Sequence, residues 1–345
     1  MNNAQDASMT AAYWDPIDSK TVRCGLCPHR CIIPSGAAGR CRMRENQDGR
    51  LVASGYGLVS SIALDPIEKK PLNMFHPGTM ILSIGGFGCN LRCPFCQNYE
   101  ISTEYGDFRS YARHISSEDV ARLAVQTVSD GNIGVAYTYN EPLIGYEFVY
   151  DCAKKVHEAG LFNVLVTNGF INEEPLNELA PYIDAMNIDL KAFSQDFYDM
   201  VGGTLEEVKR TIAAATKFCH VEVTTLVIPN GSNSGGHADS NAGGRRAGAS
   251  GREAGAGGRG VGADSTQMAS AGGGLAEASQ MPSNEDDIEE LSKWLVSIDP
   301  AIPLHLSRFF PRYMMSGAEP TPRETVIRLR DIARKHLKNV FTGNM

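Results

Sequence analysis

At 345 residues, with 42% hydrophobic and 21% charged side chains, the chain can bury a large core in one big α/β domain or two smaller ones. A formal net charge of −8 offers no general attraction for phosphate backbones and argues against a nucleic-acid partner. No run of about 18 apolar residues occurs, and the first residues lack a basic stretch followed by an apolar one, so a soluble cytoplasmic protein is expected, with no membrane span and no secretion.

Residues 1–79 read as an N-terminal extension that carries the first of two cysteine groups. Cys24, Cys27, Cys31 and Cys41 place four thiols within eighteen positions. In a reducing compartment such clustering points to metal rather than disulfides. Four sulfurs can close a zinc site or ligate an auxiliary cluster. Structural zinc is the preferred reading, because a closed site could fold a segment poor in apolar residues. His29 lies between the ligands and is read as facing solvent or standing behind them. Cys152 and Cys219 stand alone and are read as small buried hydrophobes.

From residue 80 onward short β-branched runs alternate with helical stretches. Strands are expected at 80–84, 133–137, 163–167, 184–190, 221–228 and 302–307. Two helix starts carry the pattern of a capping box: Ser116 with Asp119, and Thr204 with Glu207. This alternation predicts parallel βαβ units in a barrel or an open sheet, built from 80–231 and 285–345. Residues 232–284, dominated by Gly, Ala and Ser, are expected to be a disordered insertion between the fifth and sixth strands. Such an insertion costs little, because loop closure grows only by about 0.6 kcal/mol per doubling of length.

The second cysteine group follows the first strand of this region. Cys89, Cys93 and Cys96 sit just after the run Gly85-Gly86-Phe87-Gly88. Thiolates select soft metals, either zinc or an iron-sulfur cluster. A [4Fe-4S] cube takes four cysteines in an electron carrier, so three leave one iron open for chemistry. A ferredoxin loop would be spaced Cys-x2-Cys-x2-Cys; here the spacing is Cys-x3-Cys-x2-Cys. Gly88 is expected to let the backbone approach a cluster closely, and Phe95 to shield one of its faces.

By the loop from Gly88 through Cys89, Cys93, Phe95 and Cys96 to Gln97 and Asn98, the chain resembles the radical S-adenosylmethionine superfamily, in the branch of the pyruvate formate-lyase activating enzymes. CGLCPHRC with Cys41, DPIEKKPL at 65–72, YTYNEP at 137–142, HLSRFFP at 305–311 and FTGN at 341–344 make it similar to the radical component of the AmmeMemoRadiSam system. The resemblance covers nearly the whole chain outside the Gly-rich insertion. It implies an incomplete (β/α)6 TIM-like barrel with a Cys-rich extension. It also implies a [4Fe-4S] cluster on Cys89, Cys93 and Cys96 that cleaves S-adenosylmethionine reductively to methionine and a 5'-deoxyadenosyl radical, which takes hydrogen from a substrate.

The same resemblance places Asn98, Asn140, Glu141, Thr167, Asn168, Asp189, Lys191 and His305 around S-adenosylmethionine. Glu141 stands where the activating enzymes carry Gly-Gly-Glu, here as Tyr139-Asn140-Glu141. Val166 replaces the Asp that precedes Thr-Asn-Gly in those enzymes and helps them hold a monovalent cation. These motifs fall at or near the C-terminal ends of the expected strands, the active-site face of a parallel barrel. An external electron donor is implied, and a protein substrate or AmmeMemoRadiSam proteins as partners. Two other readings stand beside this one: an activase that installs a glycyl radical on a partner protein, and a non-catalytic iron-sulfur carrier, for which the barrel-end motifs would have no use.

Overall fold

Eight strands form the central sheet of the computed structural model, which describes residues 9–229 and 285–345. From one edge the order is Ser61–Pro66, Met80–Gly85, Asn132–Tyr137, Phe162–Thr167, Ala185–Asp189, His220–Val227, Leu304–Arg308 and Val340–Gly343. Only the first pair is antiparallel. All the others run parallel and follow chain order, so each crossover feeds the neighbouring strand. This is the α/β architecture of a partial barrel whose edges, Ser61–Pro66 and Val340–Gly343, are not hydrogen-bonded to each other.

All six expected strands are present. The sheet adds Val340–Gly343 after them and Ser61–Pro66 before them, so the boundary drawn at residue 79 is crossed by the sheet itself. The expected insertion at 232–284 lies outside the described residues.

Helices Ser117–Gln126, Tyr146–Glu158, Glu173–Leu179, Leu205–Ala215, Glu285–Ile298 and Arg323–Ala333 occupy the crossovers. Their buried stripes, through residues such as Val120, Val149, Leu176, Val208 and Leu291, pack with the strand residues Val135, Leu165, Ile188 and Val223 in one large core. The Ser116 hydroxyl caps its helix by accepting from the Asp119 N–H at 3.1 Å. Thr204 sits at the N-cap position but makes no such bond. There the Gln195 side chain accepts from the Leu205 N–H at 3.0 Å instead.

The opposite face of the strands is filled by the extension. Ile67 and Leu72 are fully buried against Ile81, Ala136, Val164 and Ala185, and Phe75 packs beside them. Inward-pointing polar residues tie this segment down. Asn187 donates to the Pro71 carbonyl at 2.8 Å, and Glu222 accepts from the N–H groups of Asn73 and Met74 at 3.1 and 2.8 Å. Residues 67–75 thus plug the space that the strands enclose and leave their C-terminal ends open.

A buried ion pair fixes the rest of the extension. The Arg44 guanidinium meets Glu147, on the Tyr146–Glu158 helix, at 2.9 Å, with Arg44 1% exposed. The Ala12 N–H donates to the same carboxylate at 2.7 Å. Desolvating two charges costs several kcal/mol each, so the pair holds only while both partners are present.

Candidate active site

The cysteine loop leaves the Met80–Gly85 strand through Gly88, which takes φ +81°. A side chain there would meet the Cys41 carbonyl at 2.7 Å, so the close approach that demands glycine is to the extension. Asn140 clamps the same stretch from the next strand end. Its side chain accepts from the Gly86 N–H at 2.9 Å and donates to the carbonyls of Phe87 and Gly88 at 3.0 and 3.1 Å. Two consecutive strand ends thereby set where the loop begins.

Cys89, Cys93 and Cys96 then line one cavity of about 350 Å³. It also takes in Asn98, Asn140, Glu141, Thr167, Asn168, Asp189 and Lys191. Phe95 is buried on its wall, with its ring 5.7 Å from that of Phe197. Burial pushes the Cys93 thiol up to about 11, and the Cys89 thiol is driven up further, again first by burial. A bare thiolate is disfavoured here, and a bound cation would offset that cost. Donors already face Cys89: its sulfur accepts from the Leu91 N–H at 3.3 Å and lies 3.6 Å from the Asn168 amide nitrogen. Three soft ligands with amide donors behind one of them fit an iron-sulfur cluster. Among the described residues no group of three His, Cys, Asp or Glu side chains is drawn in tightly enough to hold a single metal ion.

Glu141 ties two strand ends together. One carboxylate oxygen accepts from the Thr167 hydroxyl at 2.7 Å and the Leu143 N–H at 3.0 Å; the other accepts from the Asn168 N–H at 2.7 Å. Burial raises its pKa to about 7 against these three bonds. Asn168 continues outward, donating to the Asn90 side chain at 2.8 Å. Asn98 donates to the Tyr139 carbonyl at 2.7 Å. Asp189 and Lys191 pair at 2.7 Å on the cavity wall. Burial alone would pull the Lys191 ammonium down, but Asp189 and Cys93 outweigh it and hold the pKa above the usual lysine range.

His305 is not brought to this cavity. The register pairs it with Thr224, which does line the cavity. The imidazole turns back instead to Glu222, at 2.6 Å, and stacks on Phe341. Ser307, two positions along the same strand face, reaches the cavity in its place.

The sequence reading missed Lys69 and Lys70, which enter the cavity from the plugging segment. It also missed the backbone of Tyr139. This residue adopts φ +72°, a left-handed conformation that glycine takes freely and that costs other residues roughly 1–3 kcal/mol. The absence of the activating enzymes' glycines was the available signal.

The four extension cysteines surround a smaller cavity that also touches Asn90, the residue after Cys89. Burial pushes the thiols of Cys27 and Cys41 up to about 12 and about 11. His29 points toward the central loop, with its ring nitrogen 2.8 Å from the Asn90 carbonyl and its ring edge-on to Phe170.

Residues 83–234 match the family model of the Radical SAM superfamily. The protein MJ0808 of Methanocaldococcus jannaschii is 37% identical over 339 residues, which cover 97% of this chain and 85% of that one. The pyruvate formate-lyase 1-activating enzyme of Escherichia coli strain K12 is 27% identical over 153 residues, 42% of this chain and 60% of that enzyme. Among solved structures, SuiB of Streptococcus suis bound to its precursor peptide SuiA superposes with a TM-score of 0.48 at 12% identity, covering 75% of this chain and 47% of that one. The fold and these similarities define an iron-sulfur enzyme of the α/β class. The chain is a member of the radical SAM superfamily, whose enzymes use a [4Fe-4S] cluster and S-adenosylmethionine.

Proposed function

We propose that Cys89, Cys93 and Cys96 hold the cluster and that Asp189, Lys191, Asn98 and the Glu141–Asn168 turn frame the S-adenosylmethionine site beside it. The observation that carries this reading is that side chains from five strand ends and the cysteine loop line one cavity. When bound, the cluster supplies the electron for reductive cleavage of S-adenosylmethionine. The chain's own residues do the rest. Lys191, held charged by Asp189, presents a cation to a carboxylate; Phe95 and Leu91 exclude water; Asn140 and Glu141 fix the loops that carry the ligands.

The four extension cysteines are assigned a second metal, with structural zinc preferred over an auxiliary cluster. An external electron donor is required, and the place of action is the cytoplasm. A reaction alongside AmmeMemoRadiSam proteins is favoured, and activation of a glycyl radical enzyme is the second reading. The second draws support from the similarity to the Escherichia coli activating enzyme. The first draws on the extension, whose cysteines precede the central loop rather than follow it.

The test is anaerobic. Protein reconstituted with iron and sulfide, reduced with dithionite and given S-adenosylmethionine is expected to form 5'-deoxyadenosine, and Cys93→Ala to form none. A complete cluster that yields no 5'-deoxyadenosine overturns the assignment.

A further inference from the structure

Lys69 and Lys70 come from the plugging segment, yet both line the cavity that contains the cysteines. They share one counter-ion. Lys69 reaches one Asp65 oxygen at 3.1 Å and Lys70 the other at 2.9 Å, and the Tyr139 hydroxyl donates to that second oxygen at 2.6 Å. Two ammonium groups against one carboxylate leave a surplus positive charge on the wall. The charges acting on Lys70 are Asp65 and Lys69, whereas those acting on Lys191 are Asp189 and the cysteines. The cavity therefore carries two separate cationic places.

Lys70 is 3% exposed, and an ammonium has three N–H donors to satisfy. Asp65 accepts one, and the Tyr139 ring lies 4.6 Å from the nitrogen on another side. Lys70 lines the cavity, and a buried ammonium gains from an anionic oxygen placed within its reach. Lys69, with 67% of its side chain exposed, can swing toward the same oxygen. The Asp65–Lys69–Lys70 cluster is separate from the Asp189–Lys191 pair, to which the function proposed above assigns S-adenosylmethionine.

We propose that Lys69 and Lys70 form an anion-binding subsite for the substrate of the radical reaction, which therefore carries a carboxylate or phosphate group. The assignment of that group to the substrate rests on the function proposed above; the subsite itself rests on the lysines and the cavity. The extension thus supplies part of the substrate pocket as well as a metal site.

The test titrates inorganic phosphate and, separately, malonate into reconstituted protein saturated with S-adenosylmethionine, with binding followed by calorimetry. Saturable binding of at least one anion is expected, and the one that binds more tightly tells phosphate esters from carboxylic acids. Lys69→Gln should weaken it roughly two- to fivefold, as the loss of a largely exposed charged partner implies. Lys69→Arg should restore it, and Lys154→Gln, a change on an exposed helix face, should leave it unaltered. Absence of binding to the wild type, or equal binding by wild type and Lys69→Gln, overturns the subsite. So does binding lost in Lys191→Gln but kept in Lys69→Gln, which would place the anion at the other end. The cluster's EPR response to S-adenosylmethionine, recorded on the same samples, reads the proposed function independently: its absence with anion binding intact sinks that function and leaves the subsite standing.

Discussion

The Tyr139 hydroxyl donates to the Asp65 carboxylate across 2.6 Å, joining the strand end that precedes Glu141 to the antiparallel strand of the extension. The bond spans 74 positions of sequence and starts from a residue in the left-handed conformation whose ring lies against Lys70. Asp65 accepts in addition from Lys69 and Lys70. Removing the hydroxyl deprives a charged acceptor of a donor. Tyr139→Phe is therefore expected to lower stability by about 1–3 kcal/mol in urea denaturation. An unchanged midpoint would mean that the ring alone holds the turn.

Asn140 makes three bonds to the run just before Cys89, and alanine could make none of them. Asn140→Ala should cost about 2 kcal/mol and loosen the loop that carries all three ligands. Iron bound per chain after reconstitution is the measurement, and it should fall below the wild-type value. Full iron loading would show that the cysteine loop is set by its other contacts.

The Arg44–Glu147 pair offers a test of how the extension is fastened. Arg44→Met leaves a buried carboxylate unpaired and should cost about 3–5 kcal/mol. Adding Glu147→Leu should recover much of that loss, because both charges are then gone. A double change that destabilises by the sum of the single ones would contradict the coupling.

Glu222 gives a pH dependence whose sign follows from its partners. Burial alone would raise its pKa, but hydrogen bonds with His220 and His305 and from the Met74 N–H outweigh it and hold the pKa down to about 2. A carboxyl depressed in the folded state contributes stability that is fully present above its unfolded value of about 4.3 and is lost as pH falls toward the folded one. The contribution is on the order of 3 kcal/mol, given that the side chain is fully buried. Stability should therefore decline steeply between pH of about 4 and 2, and Glu222→Gln should flatten that stretch of the curve. A variant with the wild-type acid slope would assign the decline to other carboxyls.

Much of the architecture follows from local sequence. The runs around Val164 and Val223 are strongly β-branched, those around Val135 and Ile188 are short and mostly apolar, and each is followed by a helical stretch, so strand and crossover are largely local properties. The cysteine loop was legible for the same reason, since a ligand set within eight positions needs no distant partner to be recognised. Cys152 is fully buried, as a lone small hydrophobe should be. Val340–Gly343 was missed as a strand because four residues carry no period, and Ser61–Pro66 because only Asp65 of its six residues is buried.

What the sequence determined by itself was the kind of chemistry: soft ligands at a spacing suited to an open cluster, set at the ends of parallel strands. What only the tertiary structure decided was which polar residues meet. His305 stands between Leu304 and Leu306, and Lys70 closes the charged run Glu68-Lys69-Lys70; neither local context says which of them reaches the cavity. One turns into the barrel because Glu222 lies on the neighbouring strand; the other opens on the cavity because residues 67–75 fold back across the sheet. Such contacts join residues far apart in the chain, and their energy depends on the burial and charge that the assembled fold creates.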